Sequence, residues 1–188
     1  NNGTVIVNPV SVTIEPKEKE RPYEIVTAGR LLPQKNQMML IDAVAKVNSK
    51  NASLKIYGEG DLKEKLQKRI DELNINAELC GNVSDLHKRI NGAGIFVLCS
   101  EFEGLSNALI EAMMLGLVCI STNYPGADEV IIDGENGLLV PCGDVGGLAN
   151  AIVKVFGNNE LRKKLSSGAK ITSEKYKESL VLSEWDKI

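Results

Sequence analysis

The chain has 188 residues, of which 43% are hydrophobic and 25% are charged, and its formal net charge is −3. This length and composition predict one folded domain and exclude a disordered chain, and the weak negative charge argues against a nucleic-acid partner. No apolar run approaches the roughly 18 residues of a membrane span, and the first residues lack the positive charge of a signal peptide.

The first 22 residues differ in character from the remainder. Residues 4–10 form a short apolar run, and residues 15–22 are charged and bounded by prolines, as is typical of a linker. We therefore divide the chain into a linking segment, residues 1–22, and a folded domain, residues 23–188.

From residue 23 onward, strand patterns and helix patterns alternate along the chain. Short apolar runs predict strands at residues 23–28, 53–57, 77–80, 95–99, 117–121 and 137–140. Helical spacing predicts helices at residues 36–48, 62–73, 86–90, 106–115 and 144–156, one helical turn at 127–132, and a charged helix from residue 160 to the end. This alternation predicts an α/β fold, a Rossmann-like doubly wound parallel sheet of about six strands flanked by helices.

In such a sheet, ligands bind outside the carboxyl ends of the strands. The loops that follow four of the predicted strands, at residues 29–36, 58–60, 81–82 and 101–106, are therefore expected to gather on one rim.

Two glutamates on this rim are the strongest candidates for a binding site. Glu103 precedes a glycine turn at Gly104, and Glu111 lies inside a predicted helix that is otherwise mostly apolar. The start of that helix, which Ser106 or Asn107 can cap, offers backbone N–H groups and a partial positive charge to a phosphate. Because an unpaired carboxylate is costly among apolar neighbours, Glu111 needs a partner, either sugar or ribose hydroxyls or a donor from the protein itself.

Two cations lie close together in the loop after the first predicted strand. Arg30 and Lys35 are five residues apart, and from one strand-end loop they can point into the same crevice and neutralise a diphosphate. Neither G-x-G-x-x-G nor G-x-x-x-x-G-K-[ST] occurs at that position, which argues against a dinucleotide dehydrogenase and a P-loop nucleotidase.

The cysteines and the single histidine do not predict a metal site. The sequence has four cysteines, without a Cys-x-x-Cys pair, and one histidine, His87, so zinc-ligand spacing is absent. Cysteines in apolar strands behave as small buried hydrophobic residues and suit a reducing compartment. We expect His87, which has charged neighbours, to be solvated.

Taken together, residues 23–185 resemble the donor-binding domain of glycosyltransferase family 4, whose members are retaining enzymes of the GT-B fold. The resemblance rests on the E-x7-E spacing of Glu103 and Glu111 within an ordered series of glycine turns. That series comprises residues 29–35, 57–60, 79–83, 116–120, 126–131 and 133–140.

The resemblance implies a role for each matching side chain. Arg30 and Lys35, in the loop that Gly29 opens, would grip the donor diphosphate and stabilise the negative charge of the departing nucleotide. Glu111 would accept hydrogen bonds from the nucleotide ribose. Glu103 would lie near the transferred sugar, as an orienting or electrostatically stabilising group.

Backbone groups complete the site that the resemblance implies. The N–H groups of Gly104, Leu105 and Ser106 would contact sugar and phosphate, and Asn82 and Val83 would hold the base. No metal ion and no other cofactor is implied, because the two cations and the helix terminus stabilise the developing charge. The co-substrate would be a UDP- or GDP-linked sugar.

A GT-B enzyme has two Rossmann-like domains, and the acceptor binds largely to the N-terminal one. The opening segment of this chain resembles the segment between those domains, so we interpret the chain as the C-terminal half of a hexosyltransferase of glycan or polysaccharide biosynthesis. It would be inactive without the missing N-terminal domain, and the enzyme would be cytoplasmic, or peripheral to the inner membrane through that domain, with a glycan or lipid-linked acceptor. The alternatives are a stand-alone nucleotide-binding or regulatory module, half of a GT-B nucleotide-sugar epimerase, and a structural domain without nucleotide affinity.

Overall fold

The computed structural model describes residues 10–17 and 20–177. The described residues form one parallel sheet with the strands β1 (Arg21–Ala28), β2 (Ser53–Tyr57), β3 (Ala77–Gly81), β4 (Ala93–Leu98), β5 (Val118–Thr122) and β6 (Leu138–Val140). Their order in space is β3-β2-β1-β4-β5-β6. The predicted fold class, a doubly wound parallel sheet of about six strands, is confirmed.

Helices connect the strands and cover both faces of the sheet. In the described part of the chain they are α1 (Gln37–Lys46), α2 (Lys63–Leu73), α3 (Leu86–Ile90), α4 (Asn107–Met114), α5 (Val145–Gly157) and α6 (Asn159–Ser173). None of the described helices combines the length and apolar character that a membrane span requires.

Two hydrophobic cores lie on opposite faces of the sheet, because successive strand residues point to opposite sides. Ile25 of β1 packs in the core that α1, α2 and α5 cover, and Val26 packs in the core that α3 and α4 cover. Helix α6 contributes to both, through Leu165 and Ala169. Strand β4 is buried along its full length, as expected for a central strand covered on both faces.

Three helix ends have the capping residues that the sequence predicted for them. The side chains of Asn36 and Asp144 each accept a hydrogen bond from the backbone amide three residues on, at the starts of α1 and α5. After α4, Gly116 adopts a left-handed φ of +66°, and the Leu117 amide donates to the Ala112 carbonyl. This pair of features is a Schellman turn, which only glycine forms without steric cost.

Two strand boundaries differ from the predicted ones by two residues. Strand β1 begins at Arg21, where the sequence indicated linker, and β4 begins at Ala93. The strands meet closely here, since a Cβ on Gly94 would lie 2.1 Å from the Pro22 carbonyl oxygen. The predicted C-terminal helix ends at Ser173 and continues as a 3-10 turn over Glu174–Tyr176, and residues beyond 177 lie outside the described range.

Part of the predicted linking segment packs against the domain. The Val10 amide donates to the Tyr176 carbonyl, and Val10 is buried in the core beside α4. The Asn91 side chain accepts from the Lys17 amide at 2.9 Å and donates to the Glu15 carbonyl at 2.9 Å. Residues 10–17 are therefore held at both ends, whereas the apolar run at residues 4–9 lies outside the described residues.

Candidate functional site

The candidate site lies where the order of the strands reverses. Strands β1 and β4 are neighbours, but their connections run to opposite sides of the sheet, and the loops at residues 29–36 and 99–106 follow these two strands. In doubly wound sheets this switch point is the usual ligand position. We call it the switch-point cleft, defined by residues 29–36 and 99–106.

Hydrogen bonds join the two loops of the switch-point cleft to each other. The Glu101 amide donates to the Gln34 carbonyl at 2.9 Å, and the Gln34 side chain donates to the Phe102 carbonyl at 2.7 Å. A longer contact, 3.4 Å, joins the Asn36 side chain to the Glu101 carboxylate. The relative position of the loops is thus fixed by backbone groups as well as by side chains.

Lys35 and Glu103 meet across the cleft, although they are 68 residues apart in sequence. The Lys35 ammonium donates to Oε1 of Glu103, and the Ser100 hydroxyl donates to the same oxygen at 2.6 Å. Ser100 is itself positioned by Thr122, whose hydroxyl donates to the Ser100 carbonyl at 2.6 Å. A carboxylate that accepts two such bonds keeps one orientation.

Both members of this pair were singled out from sequence, but their mutual contact and the role of Ser100 were not. Ser100 lies two residues after β4 and three residues before Glu103, and it is fully buried, so its position after a buried strand was the available signal. Arg30 also lies on the first loop, with its side chain exposed to solvent. Its backbone is held by Gln37, which donates to the Arg30 carbonyl at 3.0 Å.

The start of α4 faces the cleft through small residues and backbone. Ser106 occupies the N-cap position, but its side chain makes no capping hydrogen bond. The space beside Gly104 is open, since a Cβ placed there would meet no atom within 4 Å. An anion can therefore approach the first N–H groups of the helix, which have no partner within the helix itself.

Glu111, in the second turn of α4, is paired with the histidine of α3. Nε2 of His87 lies 3.2 Å from Oε2 of Glu111, and the two side chains are 27% and 21% exposed. The prediction of a solvated His87 was wrong, because α3 packs against α4 and carries the imidazole to the carboxylate. The partner that Glu111 requires is thus an imidazole, a possibility that the spacing of the two residues did not indicate.

Two cavities open beside the cleft and have Leu86 in common. One, of about 260 Å³, is lined by Tyr57, Asn82 and Val83, and we call it the Tyr57 cavity. The other, of about 270 Å³, is lined by His87 and Glu111, and we call it the Glu111 cavity. The Tyr57 cavity shares Gly29 and Arg30 with the switch-point cleft.

Glycine backbone allows the loops around the Tyr57 cavity to pack closely. Gly58 has a φ of +136°, and a Cβ on it would lie 2.0 Å from the carbonyl oxygen of Gly29. The Gly29 amide donates to the Tyr57 carbonyl and the Gly58 amide donates to the Gly81 carbonyl. The ends of β1, β2 and β3 are therefore joined into one surface.

Tyr124 lies two residues after β5. It is almost fully buried, and its hydroxyl has no hydrogen-bond partner among the described residues. Burial raises the pKa of Tyr124 to about 12, and the negative charge of Glu103 acts in the same direction. Its ring packs in the core beside α4.

Comparison with known proteins identifies relatives over most of the chain. Residues 13–172 match the family described as glycosyl transferases group 1. A Campylobacter jejuni α-1,4-N-acetyl-D-galactosaminyltransferase, whose name specifies a glycan on PP-undecaprenol, is 31% identical over 173 residues, covering 90% of this chain and 48% of the relative. LpsE of Rhizobium meliloti, a glycosyltransferase of lipopolysaccharide core biosynthesis, is 31% identical over 144 residues, covering 76% of this chain and 42% of LpsE.

Solved structures confirm the fold at the level of coordinates. A crystal structure of a mutant of S. aureus TarM, in complex with UDP, fondaparinux and α-GlcNAc-glycerol, superposes with a TM-score of 0.90 at 26% identity. The superposition covers 100% of this chain and 39% of TarM. The chain thus spans about half, or less, of the length of the proteins it matches.

Proposed function

The chain belongs to the family of group 1 glycosyl transferases, and we propose that it binds the nucleotide-sugar donor of a retaining glycosyltransferase that acts in glycan or polysaccharide assembly. The observation that carries this proposal is the meeting of Lys35 and Glu103 at the strand-order switch point, beside the open approach to Gly104. A cation, a carboxylate and a helix start are thereby gathered where an anionic ligand is expected.

The diphosphate of the donor would bind Lys35, Arg30 and the start of α4. When the bond between sugar and diphosphate breaks, negative charge develops on the departing nucleotide. Fixed cations and backbone N–H groups stabilise that charge without reorganising, which is the largest contribution in many enzymes. Arg30 is solvent-exposed, so its side chain is accessible to a phosphate.

The nucleoside would lie along the two cavities. Glu111 would accept hydrogen bonds from the ribose hydroxyls, and the base would enter the Tyr57 cavity beside Asn82 and Val83. The UDP in the S. aureus TarM structure supports a uridine nucleotide as the first candidate, with GDP as the second.

The transferred sugar would lie near Glu103. The carboxylate is held in one orientation by Ser100 and Lys35, so it can orient a sugar hydroxyl or stabilise positive charge at the anomeric carbon. The N-acetyl-D-galactosamine in the name of the C. jejuni relative supports a hexose-type sugar.

The acceptor would bind to a further domain. Because the chain spans about half of its curated relatives, we propose an N-terminal acceptor domain that closes over the switch-point cleft. The PP-undecaprenol in the name of the C. jejuni relative supports a lipid-linked glycan as acceptor.

Calorimetric titration with UDP and GDP tests the proposal. We expect the isolated chain to bind one of them with a dissociation constant of about 10 μM to 1 mM, since one wall of the closed site is absent. Arg30→Ala and Lys35→Ala should each weaken binding by about tenfold to a hundredfold, the worth of a charge-assisted hydrogen bond.

Lys46→Ala serves as the matched control, because Lys46 is an exposed cation at the far end of α1. It should bind nucleotide like the parent. Absence of saturation with either nucleotide at several millimolar, or equal affinities for all three variants, would contradict a donor site.

A further inference from the structure

The contact between His87 and Glu111 links two helices at one end of the proposed nucleoside site. Nε2 of His87 reaches Oε2 of the carboxylate at 3.2 Å, and both side chains line the Glu111 cavity. His87 is the single histidine of the sequence. Its neighbours Asp85 and Arg89 form an ion pair with each other, in which Nε of Arg89 lies 2.7 Å from Oδ1 of Asp85.

The contact has a specific consequence for the carboxylate. The flanking residues of Glu111 in α4, including Leu109 and Ala112, are fully buried, so the backbone of this turn is fixed. Only the side-chain torsions of Glu111 remain to be set, and a long side chain loses rotamer freedom when it binds. The contact of His87 with Oε2 restrains these torsions in a carboxylate that lines the cavity.

We propose that His87 is a positioning residue that orients the Glu111 carboxylate toward the donor ribose, and thereby sets the preference for ribonucleotides over 2′-deoxyribonucleotides. The inference rests on the proposed function, because it requires a nucleoside in the Glu111 cavity. A preoriented carboxylate meets the adjacent hydroxyls of a ribose without first becoming ordered. A deoxyribose lacks the 2′-hydroxyl and therefore leaves one hydrogen-bonding position of the Glu111 carboxylate unfilled. The orientation of the carboxylate should then increase the affinity for the deoxyribonucleotide less than that for the ribonucleotide.

The other charged side chains near the cavity do not take the place of His87 beside the Glu111 carboxylate. On α3, Lys88 is exposed, and Arg89 is held by Asp85. From the segment at residues 10–17, the cavity is lined by Thr13 and Ile14, which carry no charge. Among the described residues, His87 is the ionisable donor that contacts Glu111.

Calorimetry with UDP and 2′-deoxy-UDP tests the inference on three variants. For the parent we expect UDP to bind about tenfold more tightly than 2′-deoxy-UDP, the worth of one hydrogen bond to a charged group. In His87→Leu, UDP should bind more weakly, so that the ratio of UDP to 2′-deoxy-UDP affinity falls close to one. His87→Gln, whose side-chain amide can donate from a similar position, should keep the ratio within about twofold. Lys68→Gln, on α2 at the opposite face of the sheet, is the control and should match the parent.

A second measurement needs no substitution. Because the sequence has one imidazole, a ¹³C-labelled histidine gives a single set of ring signals in the full chain. Saturating UDP should shift those signals, and inorganic pyrophosphate, which has no ribose, should leave them in place. Should His87→Leu fail to fold, this measurement and the glutamine variant decide the question.

The outcomes separate this inference from the proposed function. If the parent binds UDP, but the ratio of UDP to 2′-deoxy-UDP affinity is equal in the parent and in His87→Leu, the positioning role is overturned while the donor site stands. Ring signals that stay unmoved at saturating UDP overturn it as well. If the parent binds no nucleotide, both the proposed function and the inference fall.

Discussion

The Lys35 ammonium is paired before any ligand arrives. It contacts Glu103, whose carboxylate also accepts from Ser100, and both members of the pair are largely shielded from solvent. A diphosphate that binds Lys35 must therefore share the ammonium with a carboxylate, which lowers the local positive charge. The same pairing prevents the cation from folding away from the cleft.

This pairing distinguishes the expected effects of two substitutions. Glu103→Gln should leave UDP affinity unchanged or raise it by up to about threefold, because Lys35 loses a competing negative charge. In the enzyme restored to full length, the same variant should lower transfer by about a hundredfold or more, since the charge near the sugar is lost. Calorimetry and product mass measure the two effects.

Glu64→Gln, an exposed acid in the first turn of α2, is the control for both measurements. Loss of UDP affinity in Glu103→Gln as large as that in Lys35→Ala would refute the division between a sugar-facing acid and a phosphate-facing cation.

Tyr124 gives a prediction for stability. Its buried hydroxyl has no hydrogen-bond partner in residues 10–17 and 20–177, and such a group costs about 1 kcal/mol or more in desolvation. Tyr124→Phe should therefore unfold at equal or higher denaturant concentration than the parent at neutral pH. Tyr57→Phe is the contrast, because the Tyr57 hydroxyl is not among the buried unpartnered groups of the described residues and its removal should not stabilise the fold.

The same residue makes stability depend on alkaline pH. Burial raises the pKa of Tyr124 to about 12, whereas an unfolded tyrosine titrates near 10. Below about pH 10 the phenol is neutral in both the folded and the unfolded chain, so its contribution to the free energy of unfolding is fully present. Above about pH 10 the unfolded chain loses the phenol proton first. The free energy of unfolding therefore falls as the pH rises toward about 12. Denaturant unfolding at about pH 7 and about pH 11 should show a smaller loss for Tyr124→Phe than for the parent. An equal loss would contradict the assignment.

Sequence reasoning identified most side chains of the candidate site but not their pairings. Lys35 and Glu103 were singled out separately, and their contact depends on the hydrogen bonds between two loops that are 68 residues apart. His87 was misjudged because charged neighbours in sequence indicate a solvated helix, whereas the packing of α3 on α4 decides where its side chain lies. The proposed roles of these residues stay predictions.

At the scale of elements, glycine positions set how closely the strand ends approach. Gly58 lies against the Gly29 carbonyl with a left-handed φ of +136°. Gly58→Ala introduces both a strained backbone and a clash, so we expect a loss of about 2 kcal/mol or more in the free energy of unfolding.

Gly157→Ala is the matched control for this substitution. Gly157 ends α5, and a Cβ there would meet no atom within 4 Å, so the change should be neutral or stabilise by up to about 1 kcal/mol. Denaturant unfolding of the two variants compares them directly. A Gly58→Ala variant as stable as Gly157→Ala would mean that the loops at the carboxyl ends of β1 and β2 move apart easily.

Element type was predicted well, and element boundaries less well. Periodicity and buried runs indicated each β-strand and α-helix of the described residues, because burial on one or both faces leaves a regular hydrophobic pattern; the 3-10 helix Pro33–Lys35 was not predicted. The starts of β1 and β4 were missed because proline and glycine usually signal a turn. Here Pro22 and Gly94 lie side by side within the sheet, a close approach that only the tertiary structure reveals.

For the whole molecule, the main prediction concerns catalysis. Sugar transfer requires the acceptor in near-attack geometry, and alignment of this kind is worth about 7–11 kcal/mol. The described residues form one doubly wound domain with the cleft on its rim, which supplies a single wall. We expect donor hydrolysis and transfer by residues 1–188 to lie near background, and transfer with retention to return when the proposed N-terminal acceptor domain is joined. Robust turnover by residues 1–188 alone, detected by product mass with simple acceptors, would refute this interpretation.

The hydrogen bonds that join residues 29–36 to residues 99–106 also bear on the thermodynamics of binding. Loops that become ordered only around a ligand lose conformational entropy at that moment, and this loss subtracts from affinity. Here the backbone bond from Glu101 to Gln34 and the bond from the Gln34 side chain to Phe102 form when the chain folds. If a nucleotide binds in the cleft as proposed, it meets a surface whose disorder was removed during folding, and we expect its binding entropy to reflect released water more than immobilised protein.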